Sequence, residues 1–185
     1  MTADADHPEH LSPETVDYGR IAKVATRSKP INVLLMRCDA QLNVAADELD
    51  EDWLEKTYIA YDTHLAEHDG ERFNAHAGFL ALHFRGLDPG TDDLPAPDAD
   101  TQPDVLIEAK FDLTYSVDTT EDLDEQDLEH FAFVNSTLHA WPYWRELAHS
   151  MTTRMGLRPL IVGTFKLPSP YDPEADGGEL RHDDE

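Results

Sequence analysis

The sequence lacks the features that mark secreted and membrane proteins. Cys38 is the single cysteine, which excludes an intramolecular disulfide and fits a reducing compartment. The first residues, from Met1 to His10, are acidic and polar and do not resemble a signal peptide. No run approaches the ~18 consecutive apolar residues of a membrane span. We therefore expect a cytoplasmic protein with no membrane insertion.

Positive charge is scarce as well. The chain has 14 Lys and Arg against 39 Asp and Glu, a formal net charge of −25. Binding to phosphate backbones rests on clustered cations, so we expect no nucleic-acid partner. The acidity has two explanations, adaptation to a salt-rich cytoplasm or an acidic docking face for a basic partner. The excess is spread along the chain, which favours the first.

Catalytic and ligand-binding motifs are absent too. The sequence contains neither a Gly-rich phosphate loop nor a GxSxG elbow. His64 and His68 have H-x₃-H spacing but fall at the end of a predicted strand, without a third ligand. The Asp-rich stretch from Asp88 to Asp104 lacks EF-hand spacing. We expect no cofactor, no metal and no enzymatic activity.

The chain divides into three parts by composition. Residues 1–11 and 168–185 are rich in Asp, Glu, Pro and Gly, which predicts disordered acidic tails. Residues 12–167 form one predicted domain. It opens with a short helix that starts at Ser12 and Pro13 and reaches about Arg27.

Four strands are predicted next, joined by connections too short for crossover helices, which favours an antiparallel sheet. They are Ile31–Leu42, Thr57–Leu65, Phe73–Phe84 and Val105–Val117. The last alternates apolar and polar residues most clearly, and a loop from Leu87 to Asp104 precedes it. Changes in apolar parity predict bulges near Leu35 and Gly78.

Two helices are predicted after the sheet. Asp124 to Asp127 place negative charge at the start of the first, where the helix dipole favours it. Pro142 cannot continue this helix without losing a backbone hydrogen bond, so it is predicted to open the second, which Gly156 caps. The fold class is thus α+β, a four-stranded antiparallel sheet with two C-terminal helices packed on one face.

Large aromatic residues crowd the predicted helix junction. Trp141, Tyr143 and Trp144 lie within four positions, and Met151 and Met155 follow on the next turns. Such residues are usually part of a core or a subunit interface. Alternatively, part of the set lines an apolar groove, because methionine and aromatic side chains accommodate varied partners.

The stretch Trp141-Pro142-Tyr143-Trp144-Arg145-Glu146 resembles the junction motif of the SecB family of protein-export chaperones. The Phe111–Tyr115 strand before it and the Gly156–Leu160 turn after it fit the same family pattern. The resemblance implies a homotetramer, as a dimer of dimers, that holds unfolded clients in apolar grooves without nucleotide. Many family members deliver such clients to the SecA motor.

The resemblance also implies roles for individual residues. The implied client-binding residues are Trp53, Leu54, Leu147, Met151, Met155 and Leu157. The implied residues of the oligomer interface and core junction are Phe131, Val134, Leu138, Trp141, Tyr143 and Trp144. The N-terminal helix and the Asp/Pro loop are more like the divergent SecB-like branch, whose members can protect an antitoxin.

Two functional hypotheses follow from the sequence. The first is an ATP-independent holdase, either for protein export or for a dedicated client such as an antitoxin. The alternative is a non-catalytic oligomeric scaffold that uses the same aromatic surface for self-assembly.

Overall fold

A computed structural model describes residues 15–49, 51–85, 102–119 and 122–166. Its strands are β1 (Ser28–Leu42), β2 (Tyr58–His68), β3 (Arg72–His83) and β4 (Val105–Val117). They form one antiparallel sheet in the order β1-β4-β3-β2. Its α-helices are α1 (Tyr18–Ala25), α2 (Glu125–Phe131) and α3 (Thr137–Arg154). The predicted α+β class is confirmed.

Some predictions fall outside the described residues. These are the two acidic tails (residues 1–11 and 168–185), the helix start at Ser12 and Pro13, and most of the Leu87–Asp104 loop. The helix that reaches Ala25 begins at Tyr18. Its N-cap is Asp17, whose carboxylate accepts hydrogen bonds from the backbone N–H groups of Gly19 and Arg20.

The sheet has one buried face, and its central strands alternate strictly. Every second residue of β3 and β4 is buried against the helices, from Phe73 to His83 and from Val105 to Val117. The predicted bulge near Leu35 is confirmed, since the β1–β4 register shifts between Leu35 and Arg37. The predicted bulge at Gly78 is wrong: β3 keeps its register past it.

The predicted break at Pro142 is also wrong, because α3 runs through it. Together α2, a wider π-helical turn (Ala132–Ser136) and α3 make one continuous helical stretch. A proline here removes the hydrogen bond to the carbonyl of Leu138. Leu138 is 37% exposed and Pro142 is exposed, so water can satisfy that carbonyl.

The ends of this helical stretch follow the predicted chemistry. Asp124 and Asp127 form a reciprocal capping box at its start. At its end Gly156 has φ +79°, the left-handed conformation that glycine adopts without strain. Against the sheet, the Trp144 ring stacks on Phe79, with ring centroids 5.5 Å apart and planes within 11°. The helical layer is thus fixed on the buried sheet face.

None of the helices in the described ranges is long and apolar enough to cross a membrane.

Candidate functional site

After Gly156 the chain turns back along α3 over residues 158–166, which belong to no helix or strand and are here called the return segment. Its side chains alternate: Leu160 and Val162 are buried, and Ile161 is 79% exposed. Its backbone is held at two points on α3. The N–H of Leu160 donates to Thr152 Oγ1 (2.9 Å), and Trp141 Nε1 donates to the Gly163 carbonyl (2.8 Å). This surface of the protein therefore holds a stretch of polypeptide without regular secondary structure.

An aromatic cluster underlies the end of the return segment. Tyr61 of β2 meets Trp141 and Phe165 edge-on, with ring centroids 6.1 and 5.4 Å apart. Trp141 also contacts Phe165 (5.3 Å) and Phe79 of β3 (5.7 Å). Such rings give a large apolar contact area at little cost in side-chain entropy. The cluster joins the sheet, α3 and the return segment.

A shallow cavity of about 360 Å³ lies between α3 and the return segment. Its walls are Pro142, Arg145, Glu146 and His149 on the helix, and Leu160, Ile161 and Val162 on the segment. The cavity combines an apolar wall with charged groups at one side. That combination suits an apolar side chain of a bound polypeptide whose backbone stays near water.

Half of the residues predicted to bind clients lie below the surface. Trp53 (3% exposed), Leu147 (9%) and Leu157 (8%) are buried, and the other three are half-buried. Trp53 and Leu54 lie in the loop before β2, and Leu157 lies just after α3. A hydrogen bond from Arg158 Nη1 to the Glu51 carbonyl (3.0 Å) joins these two parts of the chain. The half-buried residues are Leu54, Met151 and Met155. Their part in client binding stays a prediction.

The predicted interface and junction residues fall into two groups. Phe131, Val134 and Trp144 lie in the core, and Trp141 is half-buried in the aromatic cluster. Exposed apolar area remains at the other two members of the set, Leu138 (37%) and Tyr143 (52%).

Strand β1 has more exposed apolar residues than the helix junction has, and sequence reasoning missed them. We call Ile31, Leu34, Leu35 and Met36 the β1 surface; they are 47–62% exposed. In the part of the chain that the structure describes, β1 is an edge strand, with β4 as its one sheet neighbour. The apolar residues of β1 occur at both odd and even positions, and successive residues of a strand point to opposite faces of the sheet. The sequence therefore indicated that a single buried face could not cover all of them. Such an edge is a template for pairing with another chain.

Two groups with reactive side chains can be assessed from their surroundings. Partial burial and the Asp39 carboxylate raise the pKa of the Cys38 thiol, which disfavours the nucleophilic thiolate. The described part of the chain contains no group of three or more His, Cys, Asp or Glu side chains placed to hold a metal ion. His64 lies opposite His76, and His68 lies opposite Phe73, so the H-x₃-H pair is split.

Comparison with known proteins adds one informative likeness. No family model matches this chain, and no curated protein matches it. The Rv1957 SecB-like chaperone of Mycobacterium tuberculosis, solved in complex with a ChAD peptide from the Rv1956 HigA1 antitoxin, superposes with a TM-score of 0.59. The match covers 80% of this chain and 97% of that one, at 17% identity.

The chain has a SecB-like fold. The resemblance inferred from the junction motif is thereby confirmed at the level of the fold. A protein of unknown function from Streptococcus agalactiae also matches, over 75% of this chain and 97% of that one, at 10% identity. Its TM-score of 0.37 is too low to bear on the fold.

Proposed function

We propose that this SecB-like protein is an ATP-independent chaperone that binds unfolded polypeptides in the cytoplasm. The return segment carries the proposal, since it is a stretch of polypeptide without regular secondary structure, held by aromatic packing and backbone hydrogen bonds. The two hydrogen bonds to its backbone do not depend on the identity of its side chains, which is what a chaperone for unfolded chains requires. The SecB-like fold supports the same function.

The client surface proposed here runs along the return segment and α3. Ile161 and the cavity beside Arg145 offer apolar contact at the surface. Half-buried Met151 and Met155 can repack around varied side chains, because methionine is unbranched and flexible. Trp53, Leu147 and Leu157 would support this surface from below.

The proposed client is a dedicated aggregation-prone protein, such as an antitoxin, rather than the whole set of exported proteins. This choice rests on the likeness to a chaperone that was solved with an antitoxin peptide. Export through the SecA motor is the alternative within the same function. A pull-down of purified SecA, compared with one of a purified antitoxin, separates the two.

Size-exclusion chromatography with light scattering tests the proposal, with and without a chemically unfolded client, at low and high salt. Screening of the −25 charge at high salt reduces self-repulsion, so both conditions are needed. A chaperone co-elutes with the unfolded client and not with its native form. Failure to bind, or to slow aggregation of, any unfolded client would contradict the proposal.

A second candidate function is a scaffold that self-assembles and binds no client, and the β1 surface favours it. The described residues leave this apolar edge uncovered. Self-assembly and client binding are compatible, because a homotetramer with client surfaces would use both. The Met151→Ala/Met155→Ala variant distinguishes them: a chaperone loses client binding and keeps its oligomeric mass. Leu34→Ser, on the β1 surface, should have the opposite effect: it lowers the oligomeric mass and leaves the client surface on α3 intact.

A further inference from the structure

Three side chains form a row across the sheet face that points away from the helices. His64 on β2 lies directly opposite His76 on β3, and His76 lies opposite Asp112 on β4. The neighbouring residue Thr63 points the other way, since its hydroxyl hydrogen-bonds Thr137 of α3. His64 is 54% exposed, His76 29% and Asp112 16%. The row is therefore open to solvent.

The two imidazole rings have the separation that a shared metal ion requires. Their centroids lie 5.2 Å apart and their planes meet at 88°. With zinc–nitrogen bonds of about 2.0–2.1 Å and tetrahedral angles, two imidazoles on one ion have centroids about 5 Å apart. Directly opposite residues of an antiparallel pair have Cβ atoms about 4.5–5.5 Å apart, so the backbone register itself holds the rings together.

In each imidazole, one of the two ring nitrogens lies next to a carboxylate. Asp112 Oδ1 is 3.5 Å from His76 Nε2, and Asp62 Oδ2 is 3.8 Å from His64 Nδ1. These contacts are charge contacts and not hydrogen bonds, but the negative charge beside one ring nitrogen still favours the proton there and the lone pair on the other. That assignment leaves His64 Nε2 and His76 Nδ1 as ligands. Lys110, the nearby cation, lies in the next row, opposite Gly78.

We propose that His64 and His76 bind one divalent transition-metal ion, such as Zn²⁺, on the outer face of the sheet. Imidazole nitrogens suit zinc, copper and nickel. The site has two protein ligands, and water fills the other positions. It links β2, an edge strand of the sheet that the described residues form, to the sheet centre. The ion binds the folded chain and so stabilises it by mass action. This site is independent of the proposed client surface.

A site formed by His64 and His76 can be distinguished by experiment from a site formed by His64 and His68, the H-x₃-H pair in the sequence. Isothermal titration of ZnCl₂ into the full chain at neutral pH should show one site. That site should be lost in His64→Ala and in His76→Ala. It should persist in His68→Ala, the matched control, because His68 lies on the same strand opposite Phe73. Asp112→Asn should weaken the site, because it removes the negative charge beside His76.

The fold of each variant is checked by its circular dichroism without metal. His64 is exposed, so His64→Ala keeps the native fold and tests the site even where His76→Ala does not. A second readout is the unfolding temperature, which should rise with ZnCl₂ in the wild type and not in His64→Ala. Zinc binding unchanged in His64→Ala, or lost in His68→Ala, would overturn the proposal.

Discussion

Trp141 donates its indole Nε1–H to the carbonyl oxygen of Gly163 over 2.8 Å. The bond joins two residues on either side of the Gly156 turn and holds the return segment against α3. Because Trp141 also contacts Tyr61, Phe79 and Phe165, its orientation is fixed by the aromatic cluster. The same relationship gives the first prediction.

Trp141→Phe should loosen the return segment. Phenylalanine keeps much of the apolar contact but has no N–H, so the Gly163 carbonyl loses its donor. We expect a loss of stability of about 1 kcal/mol and faster amide exchange over residues 158–166. Hydrogen–deuterium exchange followed by mass spectrometry measures the latter. Tyr143→Phe is the control, because Tyr143 is exposed. Unchanged exchange in the segment would show that the bond does not hold it.

Asp127 joins α1 to the start of α2 through a buried carboxylate. Arg20 Nη1 donates to its Oδ1 at 2.8 Å, and Lys23 Nζ donates to its other oxygen. Asp127→Asn removes the negative charge between these two cations and should cost about 1–3 kcal/mol of stability. Urea unfolding measures it. Glu125→Gln, an exposed change in the same turn, should cost much less.

The effect of Asp127→Asn should depend on pH. Burial by itself raises the pKa of Asp127, but hydrogen bonds from Lys23, the Asp124 backbone and Arg20 hold it below its usual value. A carboxyl with a depressed folded pKa stabilises the protein above the unfolded value, about 3.9 for aspartate. That contribution is lost as pH falls through the folded pKa. The gap between wild type and variant should therefore be full near pH 7 and shrink on acidification below about pH 4. A constant gap would contradict the ion-pair role.

Pro142→Ala should stabilise the protein. Proline inside a helix destabilises the folded protein by about 3 kcal/mol relative to alanine. It offsets about 0.4–1 kcal/mol of this by reducing the conformational entropy of the unfolded chain. The exposed site has room for the new N–H to bond the Leu138 carbonyl. We expect a net gain of about 2 kcal/mol in urea unfolding. Pro159→Ala, outside the helix, should give no gain. A destabilised Pro142→Ala variant would mean that the ring packs usefully beside the cavity.

The features predicted correctly are those encoded locally. β4 has the bounds that its alternation predicted, and the Asp124 start and the Gly156 end of the helices follow from capping chemistry. Local rules failed at Pro142, because the cost of a lost hydrogen bond depends on whether water reaches the Leu138 carbonyl. That depends on packing between elements, which a proline in a sequence does not reveal.

The candidate sites were harder to predict because they depend on which strands are neighbours. His64 and His68 are close in sequence, yet the register of β2 on β3 places His64 beside His76 instead. The order β1-β4-β3-β2 puts β1 at an edge. Ile31 and Met36 are therefore exposed, although the apolar composition of β1 is typical of a core strand. Strand order and register depend on contacts between distant parts of the chain, so local sequence patterns do not reveal them.

The β1 surface should mediate self-association. A long edge strand with exposed apolar residues pairs readily with another chain, and a lysine on such an edge opposes pairing. Met36 is 62% exposed, so Met36→Lys should not disturb the core. We expect this variant to shift the mass in light scattering from an oligomer toward the monomer of 20.9 kDa. Met36→Leu, which keeps the apolar surface, should leave the mass unchanged.

The Met36→Lys variant also tests whether self-association and client binding use different apolar surfaces. Met36 lies on β1, at the opposite edge of the sheet from β2 and the aromatic residue Tyr61. A client surface along α3 and the return segment should therefore survive in a Met36→Lys monomer, with binding weakened only by the loss of multivalency. If the monomer binds no unfolded client at any concentration, the client surface must span two subunits. An unchanged oligomer would instead show that the interface lies elsewhere, and Leu138 and Tyr143, the exposed residues of the helix junction, would be tested next.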